Sequence, residues 1–409
     1  MKILNFGSSN IDFVYSLEHI VSAGETVKSK SLNIFPGGKG LNQSIALARA
    51  GEKIYHAGCF GTDGGMLVNL LEENGVDISY IKNVDEKNGH AIIQVSDDGE
   101  NSIVIYSGSN AMVTKDYIET VLSKFGNGDF LLLQNEISNI EYIVEKASER
   151  GMRIFLNPSP CSDNLKNIDF NMLSYIILNE GEAKTLSGCE NTENVLSYFA
   201  ENYPNLRVVL TLGKKGSVFF GESQKIFQPS FEVKAVDTTA AGDTFTGYFI
   251  SMLSKGENYK NALRIASAAA ALSVSKNGAA PSIPLYDTVL SEMGNLKENT
   301  NSIMKDKINK YINTNYKNVS VKEISKVLGY SQSYTQAIVK KLYGEPLSKV
   351  IQSKKCDIAA KLLKETDMPI NEIIINIGYE NESFFRKIFK EKYGKNMLEY
   401  RKHMNEILK

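Results

Sequence analysis

The chain has 409 residues, 42% hydrophobic and 23% charged, an ordinary soluble composition with length enough for two or three domains. No apolar run approaches the ~18 residues of a membrane span, and residues 1–7 run straight into a strand-like pattern without a signal-peptide cleavage site, so neither a membrane nor a secreted protein is expected. The net charge of −1 hides an asymmetry: residues 300–409 hold 21 Lys and Arg against 12 Asp and Glu, a net of +9, which leaves a net of −10 before them. An acidic body with a basic tail points to two jobs, the second involving a polyanion, although a solvated basic surface gives the same count.

Cys59, Cys161, Cys189 and Cys356 show no pairwise metal spacing. Four scattered thiols fit a reducing cytoplasm.

In chain order, residues 2–6 predict a first strand, followed by Gly7-Ser-Ser-Asn-Ile-Asp12. Asn10 and Asp12 then sit at the C-terminal end of a strand, where open α/β sheets bind ligands. Such a pair suits sugar hydroxyls, and an Asn- and Ser-rich turn explains it equally well. Gly37-Gly-Lys-Gly-Leu-Asn42 precedes an amphipathic helix closed by Gly51. Its glycines allow close backbone approach, Lys39 and Asn42 supply donors, and the spacing excludes a Walker P-loop.

A β-then-α rhythm runs from Lys53 to Gly75, and residues 90–106 read as a hairpin around Asp97-Asp-Gly99. Strands are expected at 129–134, 152–157, 174–178 and 207–212 with helices between. Alternation of this kind predicts a doubly wound, mainly parallel α/β sheet. Polar groups end these strands: Gln134-Asn-Glu136, Asn157-Pro158, Asn179-Glu-Gly-Glu182 and Thr211–Gly216. Each alone is a cap or a turn; their recurrence argues for one shared cleft.

Asp237-Thr-Thr-Ala-Ala-Gly-Asp243 opens a helical pattern directly. Small residues at a helix N-terminus suit an anion, and a carboxylate there makes sense if it accepts a proton beside a phosphate in flight. Taken alone, a plain N-cap is the better reading of Asp243. Helices follow at 244–255 and 259–275. Residues 291–302 are polar and aperiodic, so they are the expected linker between domains at 1–290 and 303–409.

The last segment repeats internally. Val321–Tyr330 matches Ile370–Tyr379 at an offset of 49, and each copy continues into a second helix, 332–343 and 381–393. Helix, Gly-Tyr turn, helix, twice over, predicts an all-α domain with two helix-turn-helix units. A bundle used only for assembly fits the helices too, but Lys340, Lys341, Arg386, Lys387 and Lys390 favour double-stranded DNA.

Residues Gly7–Asp12, Gly24-Glu-Thr26, Gly37–Asn42 and Asp237–Asp243 together resemble the ribokinase-like (phosphofructokinase B) family of sugar kinases, in order and in distance. The resemblance implies that Asp243 is the general base and that Ala240, Ala241 and Gly242 offer an anion hole. It implies a sugar clamp of Asn10, Asp12, Gly38, Lys39, Asn42 and Glu136. Asn179 and Glu182 correspond to an element that organises Mg²⁺ through water. Thr211, Gly213, Gly216 and Ser267 lie where ATP is held. Asp237, Thr239, Ser273, Lys276, Gly278 and Ser282 fall on a K⁺ loop, mostly through backbone oxygens. The hairpin, with Gly24–Asn33, implies a small β lid whose apolar face (Ile92, Ile93, Val104, Ile105) a homodimer partner would cover.

Residues 303–403 resemble the AraC/XylS type of DNA-binding domain through Gly378-Tyr379, Ser383-Phe-Phe385, Phe389-Lys390, Tyr393-Gly394 and Glu399-Tyr-Arg401. Met397 stands where that family usually has Pro, and Val339 where it has an aromatic. Ser331, Gln332, Ser333 and Gln336 are the candidate DNA contacts of the first unit. Asn381, Glu382, Arg386 and Lys387 are those of the second, with Ser331 and Asn381 equally explained as helix caps. The expectation is a cytoplasmic, ATP-dependent pentokinase joined to a transcription regulator. The competing readings are a sugar sensor with little turnover and a kinase whose tail only assembles.

Overall fold

The computed structural model describes residues 1–407, so residues 408 and 409 of the expected last domain lie outside the described part. The chain divides into two units, Met1–Asn299 and Thr300–Lys409.

The first unit opens with β1 (Ile3–Phe6), β2 (Asn10–Ser16), β3 (Ser31–Gly37), α1 (Lys39–Arg49) and β4 (Ile54–Phe60). Then come α2 (Gly65–Glu73), β5 (Asp77–Asn83), β6 (Gly89–Val95), β7 (Asn101–Tyr106), α3 (Lys115–Leu122) and β8 (Phe130–Gln134). Next are α4 (Ile140–Glu149), β9 (Arg153–Asn157), β10 (Tyr175–Asn179), α5 (Glu180–Ser187), α6 (Thr192–Asn202) and β11 (Arg207–Thr211). The unit closes with β12 (Gly216–Gly221), β13 (Gln224–Pro229), α7 (Ala241–Ser254), α8 (Tyr259–Val274) and α9 (Tyr286–Glu292).

Nine strands form the main sheet in the order β13-β12-β11-β10-β9-β8-β1-β4-β5. It is parallel from β11 to β5, and β12 and β13 add an antiparallel edge. The order reverses at β1, between β8 and β4, and a ligand crevice is expected outside the C-terminal ends of such strands. Alternation along each strand sends Leu4, Phe6, Leu131 and Leu133 to a core with α3 to α6, and Ile3, Phe130 and Leu132 to a core with α1, α2, α7 and α8. Helices α1 and α7 pack closely because Gly247 faces Ala46; a Cβ there would meet the Ala46 Cβ at 2.5 Å.

The lid is a separate four-stranded sheet, β3-β2-β6-β7. The expected hairpin is present, but its partners are Asn10–Ser16 and Ser31–Gly37 rather than Gly24–Asn33. Its apolar residues do not share one face. Register puts Ile92 and Val104 with Leu32, Ile34 and Tyr106, and puts Ile93 and Ile105 on the opposite side with Asp12. A period of two forces that split on adjacent residues. Ile92, Val104, Leu32, Ile34 and Tyr106 are exposed, whereas Ile93 is half-buried.

The expected linker 291–302 is instead structured. Met293 and Leu296 pack on the first core, Glu232 N–H donates to the Lys297 carbonyl, and Phe231 bridges Glu298. The next helix already begins at Thr300.

The second unit holds α10 (Thr300–Asn315), α11 (Val321–Leu328), α12 (Gln332–Tyr343), α13 (Leu347–Glu365), α14 (Ile370–Asn376), α15 (Glu382–Tyr393) and α16 (Met397–Ile407). Helices α11–α12 and α14–α15 are the two copies. Gly329 and Gly378 turn between them with φ of 73° and 79°, a backbone that only glycine adopts without cost. Each copy has its own core. The second is aromatic, built on Phe385 and Phe389, while the first has Thr335 and Val339 at the corresponding positions. The Thr335 hydroxyl is buried without a partner. Met397, at the position of the family's usual Pro, is buried in the second core.

Candidate active site

The site forms where β1, β8, β9 and β10 end against the N-termini of α1, α5 and α7. Ala240 caps α7 in the left-handed region, with φ of 59°. That conformation costs an alanine about 1–2 kcal/mol and recurs at functional sites. It turns the chain so that the N–H groups of Gly242 and Asp243 in the first turn of α7 point out of the helix end, while Ala241 N–H donates to the Thr238 carbonyl at 3.3 Å. Asp243 follows in the first turn and is buried. Its carboxylate does not act as the cap: Oδ2 accepts from Asn42 Nδ2 at 3.1 Å and Oδ1 from Gln43 Nε2 at 2.8 Å.

A cleft of about 740 Å³ spreads from this point. Ala240, Ala241, Gly242 and Asp243 line it, together with Lys39, Asn179, Glu182, Thr211, Gly213, Gly216 and Ser267. The expected catalytic and nucleotide residues are therefore one surface. Asn179 and Glu182 form a full capping box on α5: Glu182 N–H donates to Asn179 Oδ1, and Glu182 Oε2 accepts from Asn179 N–H. Phe231 and Ala271 supply apolar wall, and Thr238 and Asn299 also line the cleft. Of these four only Thr238 falls within a motif, the Asp237–Asp243 run.

The sugar-clamp residues gather on the lid side. Asn10 and Asp12 belong to β2, not to a turn, so the lid carries them. Asn10 Oδ1 accepts from Asn110 Nδ2 at 2.8 Å. Gly38, at φ of 95°, brings the chain against Ser9 and Asn10, where a Cβ would meet Asn10 N at 2.8 Å. Glu136 Oε2 accepts from the Ser8 hydroxyl and from Lys39 N–H at 3.1 Å. Burial and Glu136 push the Asp12 carboxyl up to about 7. Burial also pushes Glu136 up, against the opposing pull of Lys39 and Ser8. For the Lys39 ammonium burial works downward, yet Asp243, Glu136 and Glu182 together hold it above its ordinary value. A lysine among three carboxylates stays charged and aimed into the crevice.

The expected cation loop also closes on itself. Asp237 Oδ1 accepts from Thr239 N–H at 2.9 Å and Oδ2 from Gly278 N–H at 2.9 Å, while the Ser273 and Ser282 hydroxyls meet at 2.7 Å. Lys276 joins only through its backbone, and its side chain is exposed. Among the described residues no group of three or more His, Cys, Asp or Glu side chains could cage a metal.

Residues 1–285 match the family model of the pfkB family carbohydrate kinases. The chain belongs to that family. This ATP-dependent carbohydrate kinase is 36% identical over 296 residues to a ribokinase of Haemophilus influenzae, covering 69% of the chain and 95% of the relative. It is 34% identical to a ribokinase of Bacillus subtilis, covering 70% and 98%. Among solved structures, ribokinase from Thermotoga maritima superposes with a TM-score of 0.65 at 36% identity, covering 72% and 99%. Ribokinase from Arabidopsis thaliana, complexed with ribose and ATP, does so with 0.63 at 30%, covering 71% and 98%.

Residues 324–403 of the kinase chain match the model of a helix-turn-helix domain of AraC/XylS type. There Ser331 and Asn381 are N-caps, accepting from Tyr334 and Phe384 N–H. Gln332, Ser333, Gln336, Arg386 and Lys387 are exposed, and Glu382 is half-buried. Arg386 is held by Asn371 Oδ1 at 2.7 Å and by Glu382. Tyr334 and Phe384, the second within the Ser383–Phe385 run, are exposed aromatics that follow each cap by three residues. Among the described residues no helix is long and apolar enough to cross a membrane.

Proposed function

We propose that the first unit transfers the γ-phosphoryl group of ATP to the primary hydroxyl of ribose or a related pentose, and that the second unit binds DNA under control of that sugar or its phosphate. The observation that carries the reading is Asp243: a buried carboxylate beside the outward N–H groups of α7, in the cleft that also holds Asn179 and Glu182. Phosphoryl transfer asks a protein for positioning and charge stabilisation more than for covalent chemistry.

In this reading Asn10, Asp12, Gly38, Lys39, Asn42 and Glu136 hold the sugar hydroxyls. Asp243 takes the proton of the attacking hydroxyl, and the Ala240–Gly242 backbone receives the charge that grows on the transferred group. Mg²⁺, when bound near Asn179 and Glu182, neutralises phosphate oxygens. Thr211, Gly213, Gly216 and Ser267 seat the nucleotide. Asp237, Thr239, Ser273, Lys276, Gly278 and Ser282 would hold a K⁺, mostly through backbone oxygens, and it would add positive charge to the phosphate site. The lid closes over the sugar and excludes water. Its face of Leu32, Ile34, Ile92, Val104 and Tyr106 is covered by a second copy in a homodimer, which light scattering at micromolar concentration tests.

A coupled ADP-release assay across sugars tests the kinase reading, with ribose expected to give the highest kcat/KM. Absence of turnover with every sugar, with binding retained, would make the unit a sensor. Ribose titrated with and without operator DNA tests the coupling, because reciprocity requires each ligand to alter the other's affinity by the same factor. Typical coupling of ~1–3 kcal/mol is well resolved by such a titration. Identical constants would leave two independent activities on one chain.

A further inference from the structure

A chain of buried polar side chains leads away from Asp243 into the core. Asn5, Gln43, Ser44, His56 and Gln134 are each no more than 1% exposed. Asn5, His56 and Gln134 occupy alternate positions of β1, β4 and β8 on the face covered by α1 and α7, where strand periodicity would otherwise place core hydrophobics. Burying five polar groups is costly unless each is paired.

The direction of every amide bond is fixed. Asp243 accepts only, so Gln43 must turn its NH₂ toward Oδ1, at 2.8 Å. Its Oε1 then accepts from Gln134 Nε2 at 2.6 Å, and the same NH₂ donates to Asn5 Oδ1 at 3.0 Å. Asn5 therefore presents its own NH₂ to the Gly40 carbonyl at 2.7 Å and to Ser44 Oγ at 2.8 Å. The Ser44 hydroxyl also bonds His56 Nδ1 at 2.8 Å, in the direction the imidazole tautomer sets, while His56 Nε2 and Gln134 Oε1 are buried without a partner. Two further acceptors check the assignment independently. The Gly40 carbonyl admits only the Asn5 NH₂. The Ile177 carbonyl takes Asn157 Nδ2 at 2.8 Å, which turns Asn157 Oδ1 toward Gln43 Nε2 at 3.1 Å. Amide orientations are ordinarily ambiguous; here three anchors, Asp243 and two carbonyls, agree on one.

The chain ends at His56, which burial holds neutral, with a pKa pulled down to about 3. Amide groups do not conduct protons in this sense, so the network orients and does not relay.

We infer that Gln43 is the positioning residue of the Asp243 carboxylate, held in a single amide orientation by Gln134, Asn5 and Asn157, and that it sets the aim of the base. This rests on reading Asp243 as the base. With Gln43 donating to Oδ1 and Asn42 to Oδ2, the carboxylate cannot rotate. The charged groups that face Asp243 are Lys39 and Glu136, with Glu182 beyond Lys39; all stay in place in the variants below.

The test measures kcat and KM for ribose and ATP on the full chain with Gln43→Met, Gln43→Glu and, as reference, Asp243→Asn. Gln43→Met should lower kcat by roughly 10²-fold, the cost of a misplaced catalytic group, with both KM values nearly unchanged. Gln43→Glu keeps the shape but loses the donor to Oδ1, so its kcat should fall at least as far. Gln134→Met, which releases Gln43 on one side together with Asn5 Oδ1, should lower kcat by less at unchanged KM, and it decides the matter should the Gln43 variants fail to fold. Wild-type kcat in the folded variants overturns the inference, as does a fall in kcat matched by rising KM. If Asp243→Asn itself keeps near wild-type turnover, the base reading fails instead.

Discussion

The two units use polar side chains in opposite ways. In the kinase unit Asp243, Asn42 and Gln43 are buried, Glu136 is half-buried, and each is held by fixed donors or acceptors. In the helical unit Gln332, Ser333, Gln336 and Lys387 stand in water on the first two turns of α12 and α15. The difference follows from the work. Charge that develops during phosphoryl transfer must be met by groups that do not reorganise. A DNA surface is met largely through released counterions and side chains that settle on contact. Substitutions should therefore act sharply and locally in the first unit, gradually and salt-dependently in the second.

Asp243→Asn is the strongest probe of the first half of this contrast. Turnover should fall by ~10²–10⁴-fold, with ribose and ATP binding by calorimetry unchanged and DNA affinity unchanged. A variant with near wild-type turnover breaks the comparison at its centre.

Replacing Arg386 and Lys387 by Ala tests the other half. Loss of a base contact costs about 1–3 kcal/mol, and loss of a phosphate contact reduces the salt slope by about 1. Arg386 is pre-set by Asn371 and Glu382, so it should carry most of the sequence discrimination. Gel shifts at several salt concentrations, beside kcat measured on the same protein, check both expectations. Unchanged affinity would reject this face.

Asp12→Asn sharpens the contrast by showing what a functional buried carboxylate costs. In the unfolded chain Asp12 ionises near 3.8, whereas in the fold it does so only near 7. Between those values the folded state keeps a proton that the unfolded state has released, so stability declines as pH rises through this window and levels off above it. Asp12→Asn removes that slope. Its Tm at pH 8, without sugar, should rise by about 2–4 °C for each kcal/mol recovered, while ribose affinity is lost. Calorimetric scans from pH 4 to 8 should show the wild type and the variant diverging as pH increases. Parallel curves would place the cost elsewhere.

The smallest effect is expected at the caps. Ser331→Ala and Asn381→Ala should each cost about 1 kcal/mol of helix stability, with little change in DNA affinity beyond that loss. Thermal melts of the helical unit's signal against gel shifts separate the two roles. A large affinity loss at unchanged stability would make either residue a DNA contact after all.

Much of the site was legible because strand ends and small-residue helix starts carry chemistry in contiguous motifs; Lys39, Asn42, Asn179, Glu182 and Asp243 stand in such runs. The lid was only half legible. Only three residues separate β1 from β2, so a strand of a different sheet reads as the turn that follows the first. The edge strands β12 and β13 were not anticipated, and residues 293–298 look like linker because Met293 and Leu296 are lone apolar anchors in a polar run. Asn5 and His56 were invisible for a deeper reason. A polar residue at alternate strand positions reads as a solvent face, and only the helices packed over them make it a buried network.

The unequal cores of the two helix-turn-helix copies have a consequence for amide hydrogen exchange. A fully buried Phe contributes roughly 1.5–3 kcal/mol, and the first copy has Thr335 and Val339 where the second has Phe385 and Phe389. The first copy also buries an unpaired hydroxyl. It is therefore the segment with the lower free energy of local opening. Amides of α11 and α12 should exchange before those of α14 and α15, and DNA should slow them most. The copy that unfolds more readily alone is the one whose protection factors report most directly on whether the protein is seated on its operator.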